Sequence, residues 1–192
     1  MMRAIAIVCG VVLSGALQAP CAQAAGENAS PPSVAQQVKQ LDDKGRDAYQ
    51  ANELEQARSS WLQAYSLQPN ADVALSLGRV EISLKRYRDG AEHLDHALRQ
   101  MPDDVSDKTR SDAKKALADA RAHVAAVEVS TTQPNVELRV DGKVVGRSPL
   151  DHVIYLEAGT HEVSAHLGSN SITRAVTVQP PQVYQVNLPL VV

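Results

Sequence analysis

Two histidines, His93 and His96, stand three residues apart with Glu92 and Asp95 beside them, a spacing that puts both imidazoles on one side of a helix. Such a pair can begin a metal site, but a zinc-like ion asks for at least a third protein ligand, and none stands at a suitable spacing. The reading is therefore a solvated helix face without a metal. His161 follows Gly159-Thr160, and its ring nitrogens are expected to hydrogen-bond the turn backbone and not to catalyse. Cys9 and Cys21 both lie at the extreme N-terminus. The chain also lacks a Gly-x-Ser-x-Gly elbow, a phosphate-cradling glycine loop and a His-Glu-x-x-His helix. The expectation is a protein that is not an enzyme and uses no cofactor.

Charge and composition narrow the alternatives. The 19 Lys and Arg stand against 22 Asp and Glu, leaving a net charge of -3 and no basic surplus to neutralise phosphates, so nucleic acid is an unsuitable partner. Aromatic residues make up 3% of the chain and Phe is absent, which leaves few platforms on which bases or sugar rings could stack.

The elements that would position binding residues come in three parts. Met1-Met2-Arg3, the apolar run from Ala4 to Leu17 and the small-x-small Ala22-Gln23-Ala24 form the pattern of an export signal, read as residues 1–25. Pro20 and Gln18 stand where a lipoprotein signal wants small residues, so Cys21 is not expected to carry a lipid. Residues 26–33, with Pro31-Pro32, read as a flexible linker, and no later segment approaches the ~18 apolar residues of a membrane span. Residues 34–127 read as helix and residues 128–192 as strand, an α+β chain.

The helical part repeats itself. A shift of 33 residues lays Gly45 on Gly78, Arg46 on Arg79, Ala57 on Gly90, Trp61 on Leu94, Ala64 on Ala97 and Pro69 on Pro102. Each unit reads as two helices, Val34 to Gln50 with Leu54 to Leu67, then Ala71 to Leu84 with Tyr87 to Gln100. Asn52 with Glu55, and Asn70, are expected helix caps. A further helix is expected from Ser111 to Val127, with Ala113, Ala116, Leu117, Ala120, Val124 and Val127 on one stripe, capping the open end of the array. The repeat resembles the tetratricopeptide repeat family, although the usual aromatic of the first helix is shifted or missing and Glu81 occupies its place in the second unit.

In such an array the first helix of each unit lines a concave face. The resemblance therefore implies a peptide-binding groove formed by Lys39, Asp42, Arg46 and Tyr49 with Asp72, Leu75, Arg79 and Ile82. Arg46 and Arg79, at equivalent positions, would jointly hold a carboxylate such as a peptide C-terminus. The competing expectation is that each Arg pairs with a carboxylate of its own neighbourhood, Asp42 for Arg46 and Glu81 for Arg79.

The C-terminal part alternates in twos from Val136 to Val140, turns at Asp141-Gly142, and continues through runs at Val153 to Leu156, His161 to Leu167, Ile172 to Val178 and Val183 to Leu188. Gly146 with Pro149, Ala158-Gly159 and Pro180-Pro181 mark the breaks. This predicts a small antiparallel β-sandwich that leans on the preceding helix. The stretch Val140-Asp141-Gly142-Lys143-Val144-Val145-Gly146-Arg147-Ser148-Pro149-Leu150, followed by Leu156-Glu157-Ala158-Gly159-Thr160-His161, resembles the PEGA domain. In that likeness Asp141, Gly142, Gly146, Pro149, Gly159 and His161 are the structural turn residues, with Glu157-Ala158-Gly159 replacing the family's Pro-Glu-Gly-Ala. The resemblance implies an exported protein of a Gram-negative bacterium, in the periplasm or at the cell surface. The expected function is that of an adaptor or scaffold for an unidentified envelope protein or peptide. The rival is a structural module that binds cell-wall or surface glycan, for which only Tyr155 and Tyr184 are available in the β part.

Overall fold

The computed structural model describes residues 32–190. The expected export signal, both cysteines and most of the expected linker lie outside the described residues. The first helix, α1 (Val34–Gln50), opens with a capping box: Ser33 Oγ accepts from the Gln36 N–H, while Gln36 Oε1 accepts from the Ser33 N–H at 2.8 Å. It pairs with α2 (Leu54–Leu67) as a hairpin, α3 (Ala71–Ser83) and α4 (Tyr87–Gln100) form a second, and α5 (Asp107–Arg121) follows. No described helix is long and apolar enough to cross a membrane.

The 33-residue repeat is visible atom by atom in the two hairpin turns. At the first, the Glu53 N–H donates to Ala48 O at 2.8 Å across Asn52; at the second, the Arg86 N–H donates to Glu81 O at 2.8 Å across Lys85. Asn52 and Lys85 both hold the left-handed conformation, with φ of 61° and 60°. This corrects the expectation that Asn52 caps α2: the tight turn needs a residue of positive φ there, and α2 starts after Glu53 with no side-chain cap. Asn70 does cap its helix, accepting the Val73 N–H on Oδ1 at 2.9 Å.

The glycines of the repeat are seats for the residues opposite. A methyl group at Gly45 would lie 2.7 Å from Trp61 Nε1, and one at Gly78 would lie 2.7 Å from Leu94 Cγ. Each first helix can thus approach its partner closely, and Ala57, Trp61 and Ala64 pack with Val73, Leu77 and Val80 into one apolar cluster. Leu75, Leu94 and Ala97 pack with Ala113, Leu117 and Ala120 of α5 into a second.

The expected last helix is displaced. It begins at Asp107, capped by Ser106 Oγ, and stops at Arg121; Val124 and Val127 leave its stripe and Ala125 to Val127 are strand. Val124 packs with the helices while Val127, with Ala125, enters the sandwich core, and pairing on both sides of the strand decides for β.

Seven strands follow: β1 (Ala125–Thr131), β2 (Glu137–Val140), β3 (Lys143–Arg147), β4 (Ile154–Leu156), β5 (Gly159–Leu167), β6 (Asn170–Val178) and β7 (Val183–Leu188). One sheet has the order β4-β1-β7 and the other β3-β2-β5-β6. The α+β class holds, with one departure from an all-antiparallel sandwich: β1 and β7 run parallel, pairing Val127 with Tyr184 and Val129 with Val186. Side-chain alternation sets which face is buried and is silent on strand direction, so the sequence carries no sign of this pair. Val136, Leu138, Val163, Val178 and Leu188 are fully buried between the sheets. In β4 every side chain is buried: Ile154 and Leu156 enter the sandwich core, and Tyr155 between them enters the cluster of α3, α4 and α5.

Candidate functional site

The residues expected to line the helical groove do not all share one place. Lys39, Asp42 and Asp72 meet Val38, Gln100 and Val105 around an open groove of about 610 Å³ between the N-terminal parts of α1 and α3. Arg46, Tyr49 and Arg79 are not among its lining residues. Arg46 Nη2 lies 2.7 Å from Asp42 Oδ2, and its other terminal nitrogen lies 3.8 Å from Asp43. Asp42 is held a second time by Trp61, whose indole N–H donates to Oδ1 at 2.9 Å. Tyr49 tilts against the same Trp61 ring at 5.9 Å and stays exposed. Arg79 faces α5, where Asp112 is held below the usual carboxylate range by the hydrogen bond from Lys108 and further by the Arg79 charge. Leu75 is buried against α5 and Ile82 packs at the edge of the same cluster. Arg46 is thus engaged locally, as the competing expectation had it, whereas the Arg79 guanidinium has no hydrogen-bond or ion-pair partner among the described residues, because Glu81 is taken by Arg58 and His93.

The turn residues of the β part form a connected structure. Asp141 and Gly142 occupy the left-handed region with φ of 49° and 77°, as a two-residue hairpin turn requires. Asp141 Oδ1 accepts the Glu162 N–H at 2.9 Å and Oδ2 lies 2.7 Å from His161 Nδ1, while His161 Nε2 lies 3.1 Å from Glu157 O. The histidine therefore ties the β2–β3 turn to the segment before β5. The contact from His161, with the Glu162 amide second, holds the Asp141 carboxyl below its ordinary range. Gly146, at φ 151°, sits where a methyl group would lie 2.6 Å from Leu150 Cδ2, and Gly159 has φ 150°. The Ser148–Pro149 peptide that follows is cis. Ser148 Oγ accepts the Val136 N–H at 3.0 Å and donates to Gln133 O at 2.9 Å.

A second concavity was not foreseen from the sequence. It is a cleft of about 690 Å³ between α4, which contributes Arg88, Glu92, Asp95, His96 and Arg99, and the β2–β3 hairpin with β4. Tyr155 closes its floor, fully buried, with its hydroxyl accepting from Arg121 and donating to Asp95. Tyr155 is therefore not available as the exposed sugar platform that the glycan reading required. Tyr184, the other candidate, has its hydroxyl engaged by the Gln179 N–H and by Gln182. Asp95 is also paired with Arg99 at 3.0 Å and lies 3.7 Å from Arg121. Glu92 lines the cleft and stays exposed, and desolvation, outweighing the charge of Arg88, raises its pKa. His96 is pushed down by burial, with Arg99 and His93 adding to the effect, and its Nδ1 is buried without a hydrogen-bond partner.

His93 and His96 have separate fates. His93 Nδ1 lies 2.7 Å from Glu81 Oε2, and Glu81, completely buried, also accepts from Arg58 Nε at 3.1 Å. Both imidazoles meet the Tyr65 ring edge-on, at 5.0 and 5.5 Å. Among the described residues no three His, Cys, Asp or Glu side chains gather as a metal site. Spacing alone could not reveal that Glu81 is the partner of His93, because the pair joins α3 to α4; the one sequence sign was a carboxylate at a position where the repeat calls for an aromatic.

No curated protein matches the chain. The family model of the PEGA domain matches residues 124–192, from the entry into β1 onward, behind the five helices of the described residues.

Proposed function

We propose that the protein is a non-catalytic, exported adaptor that holds a peptide or protein partner through its helical hairpins and associates with the cell envelope through its PEGA domain. The observation that carries this reading is the groove between α1 and α3, in which Lys39, Asp42 and Asp72 stand beside the apolar Val38 and Val105 and the amide of Gln100. Side chains of both charges around an apolar strip suit a peptide, whose backbone and side chains ask for both. The hairpin geometry repeated at 33 residues supports the likeness to tetratricopeptide repeats, in which such a groove is the binding face. Export accords with the N-terminal signal pattern and with the PEGA match, and the compartment is the periplasm or the cell surface.

The test is proximity cross-linking of the tagged protein in its native host, comparing the parent with the double variant Lys39→Glu, Asp72→Lys. Both side chains are exposed, so the variant should keep its melting temperature while its cross-linked partner is lost. A partner retained by the folded variant would overturn the groove assignment.

A further inference from the structure

The cleft between α4 and the β2–β3 hairpin has one wall that is an open sheet edge. β3 ends its sheet, with β2 on one side and no strand of the described residues on the other. The two-residue turn makes Val140 and Lys143 the hydrogen-bonded closing pair of the hairpin. Antiparallel pairing alternates, so the next pair, Arg139 with Val144, turns the N–H and C=O of Val144 away from β2. Val144 is 58% exposed and lines the cleft.

The opposite wall supplies an uncommitted charge. Asp95 is engaged by Arg99 and Arg121, and Asp141 by His161. Glu92 has no ion-pair partner among the described residues, because Arg88 turns to Asp89 at 2.7 Å and His93 to Glu81. A carboxylate that lines a cleft without a cation of its own is a fitting partner for a ligand that brings one.

We infer that this cleft is a second binding site, separate from the helical groove, which takes an extended peptide segment as an added strand on β3, with a lysine or arginine of the segment meeting Glu92. Main-chain hydrogen bonds to Val144 give the segment its direction, and the basic side chain gives it its selectivity. The site stands whether or not the α1–α3 groove binds a partner.

The full chain is used to select binders from a library of linear twelve-residue peptides. Selected peptides should share a basic residue within an extended pattern, and hydrogen exchange at Val144 should slow when they bind. Glu92→Gln should weaken them about tenfold, the scale of a lost charge-assisted hydrogen bond. Val144→Pro should abolish binding, since proline removes the outward N–H without breaking a bond to β2. Circular dichroism checks that this variant folds, and Glu92→Gln tests the site independently if it does not. Lys39→Glu with Asp72→Lys should leave these peptides bound. A selection that yields no binder, binders indifferent to Glu92→Gln and Val144→Pro, or binders lost only with the groove variant would each overturn the inference.

Discussion

Tyr155 Oη lies 3.0 Å from Arg121 Nε, so the last residue of α5 grips a side chain from the middle of β4. The same hydroxyl reaches Asp95 of α4, and the ring is fully buried in the cluster of Ala74, Leu94 and Leu117. The sandwich has its own core between its sheets, and through Tyr155 it also adds to the core of the helices. Helices and sheets are expected to unfold together, with Tyr155 the largest side chain that the β part places in the helical cluster, beside Ala126 and Val153.

Tyr155→Phe removes the hydroxyl and keeps the ring, and is expected to cost about 0.5 to 1.5 kcal/mol. Tyr155→Ala empties the site, is expected to cost about 3 to 5 kcal/mol, and uncouples the two parts. The only tryptophan, Trp61, reports on the helices, while amide exchange in β5 reports on the sandwich. Urea transitions by the two probes should coincide in the parent and separate in Tyr155→Ala; coincidence in that variant would show that the parts are coupled some other way.

Glu81 is the central member of a buried ionic group that joins α2, α3 and α4. Its exposure is 0%, against 19% for the Arg58 side chain and 15% for His93. Glu81→Ala leaves both partners without their acceptor and should destabilise by about 3 to 5 kcal/mol. Equilibrium denaturation showing no loss would mean that Arg58 and His93 find water once the carboxylate is gone.

Two glycines should fail for different reasons. Gly78→Ala forces a methyl group to 2.7 Å from Leu94 Cγ and 3.1 Å from Gly90 O, and should cost about 1 to 3 kcal/mol by crowding. Gly142→Val meets nothing within 4 Å and should lose about 1 to 3 kcal/mol through its φ of 77° alone. Gly142→Asn should recover much of that loss, because asparagine tolerates positive φ. Melting curves for the three variants decide, and equal losses for Val and Asn at 142 would contradict the turn conformation.

The two perturbed carboxylates of the cleft respond to acid in opposite senses. Asp141 is held below its ordinary 3.8 by the hydrogen bond from His161 first, so its contribution is present above that value and is lost as pH falls through the folded-state pKa. His161→Ala should bring the carboxyl back toward 3.8 in an NMR titration. Glu92 is held above its ordinary 4.5 by desolvation, so its contribution is complete below that value and is lost as pH rises through the folded-state pKa. Glu92→Gln should therefore be more stable than the parent at neutral pH, with the difference closing below about pH 4.5; a constant difference across that range would place Glu92 in free solvent.

Much of the architecture was readable because it rests on local chemistry. Gly45 and Gly78, Trp61 and Leu94, and Pro69 and Pro102 recur in one register, and the structure shows the glycines seating the residues opposite. Asp141-Gly142 named the hairpin. What misled was local ambiguity: Val124 and Val127 continue a helical stripe although only Val127 belongs to the strand, and Asn52 suits a cap as well as a left-handed link.

Within residues 32–190, the order of helices and strands, the buried faces and the turn positions follow from hydrophobic period and from backbone conformations that few residues adopt. The parallel pairing of β1 with β7, the burial of Tyr155 among helices, the capture of Glu81 by Arg58 and His93, and the placing of Glu92 and β3 around one cleft do not. Each joins elements remote in the chain or depends on which of several nearby charges lies within reach once the backbone is placed. Periodicity specifies which side of an element is apolar, and only packing specifies what that side, and the polar side opposite, will meet.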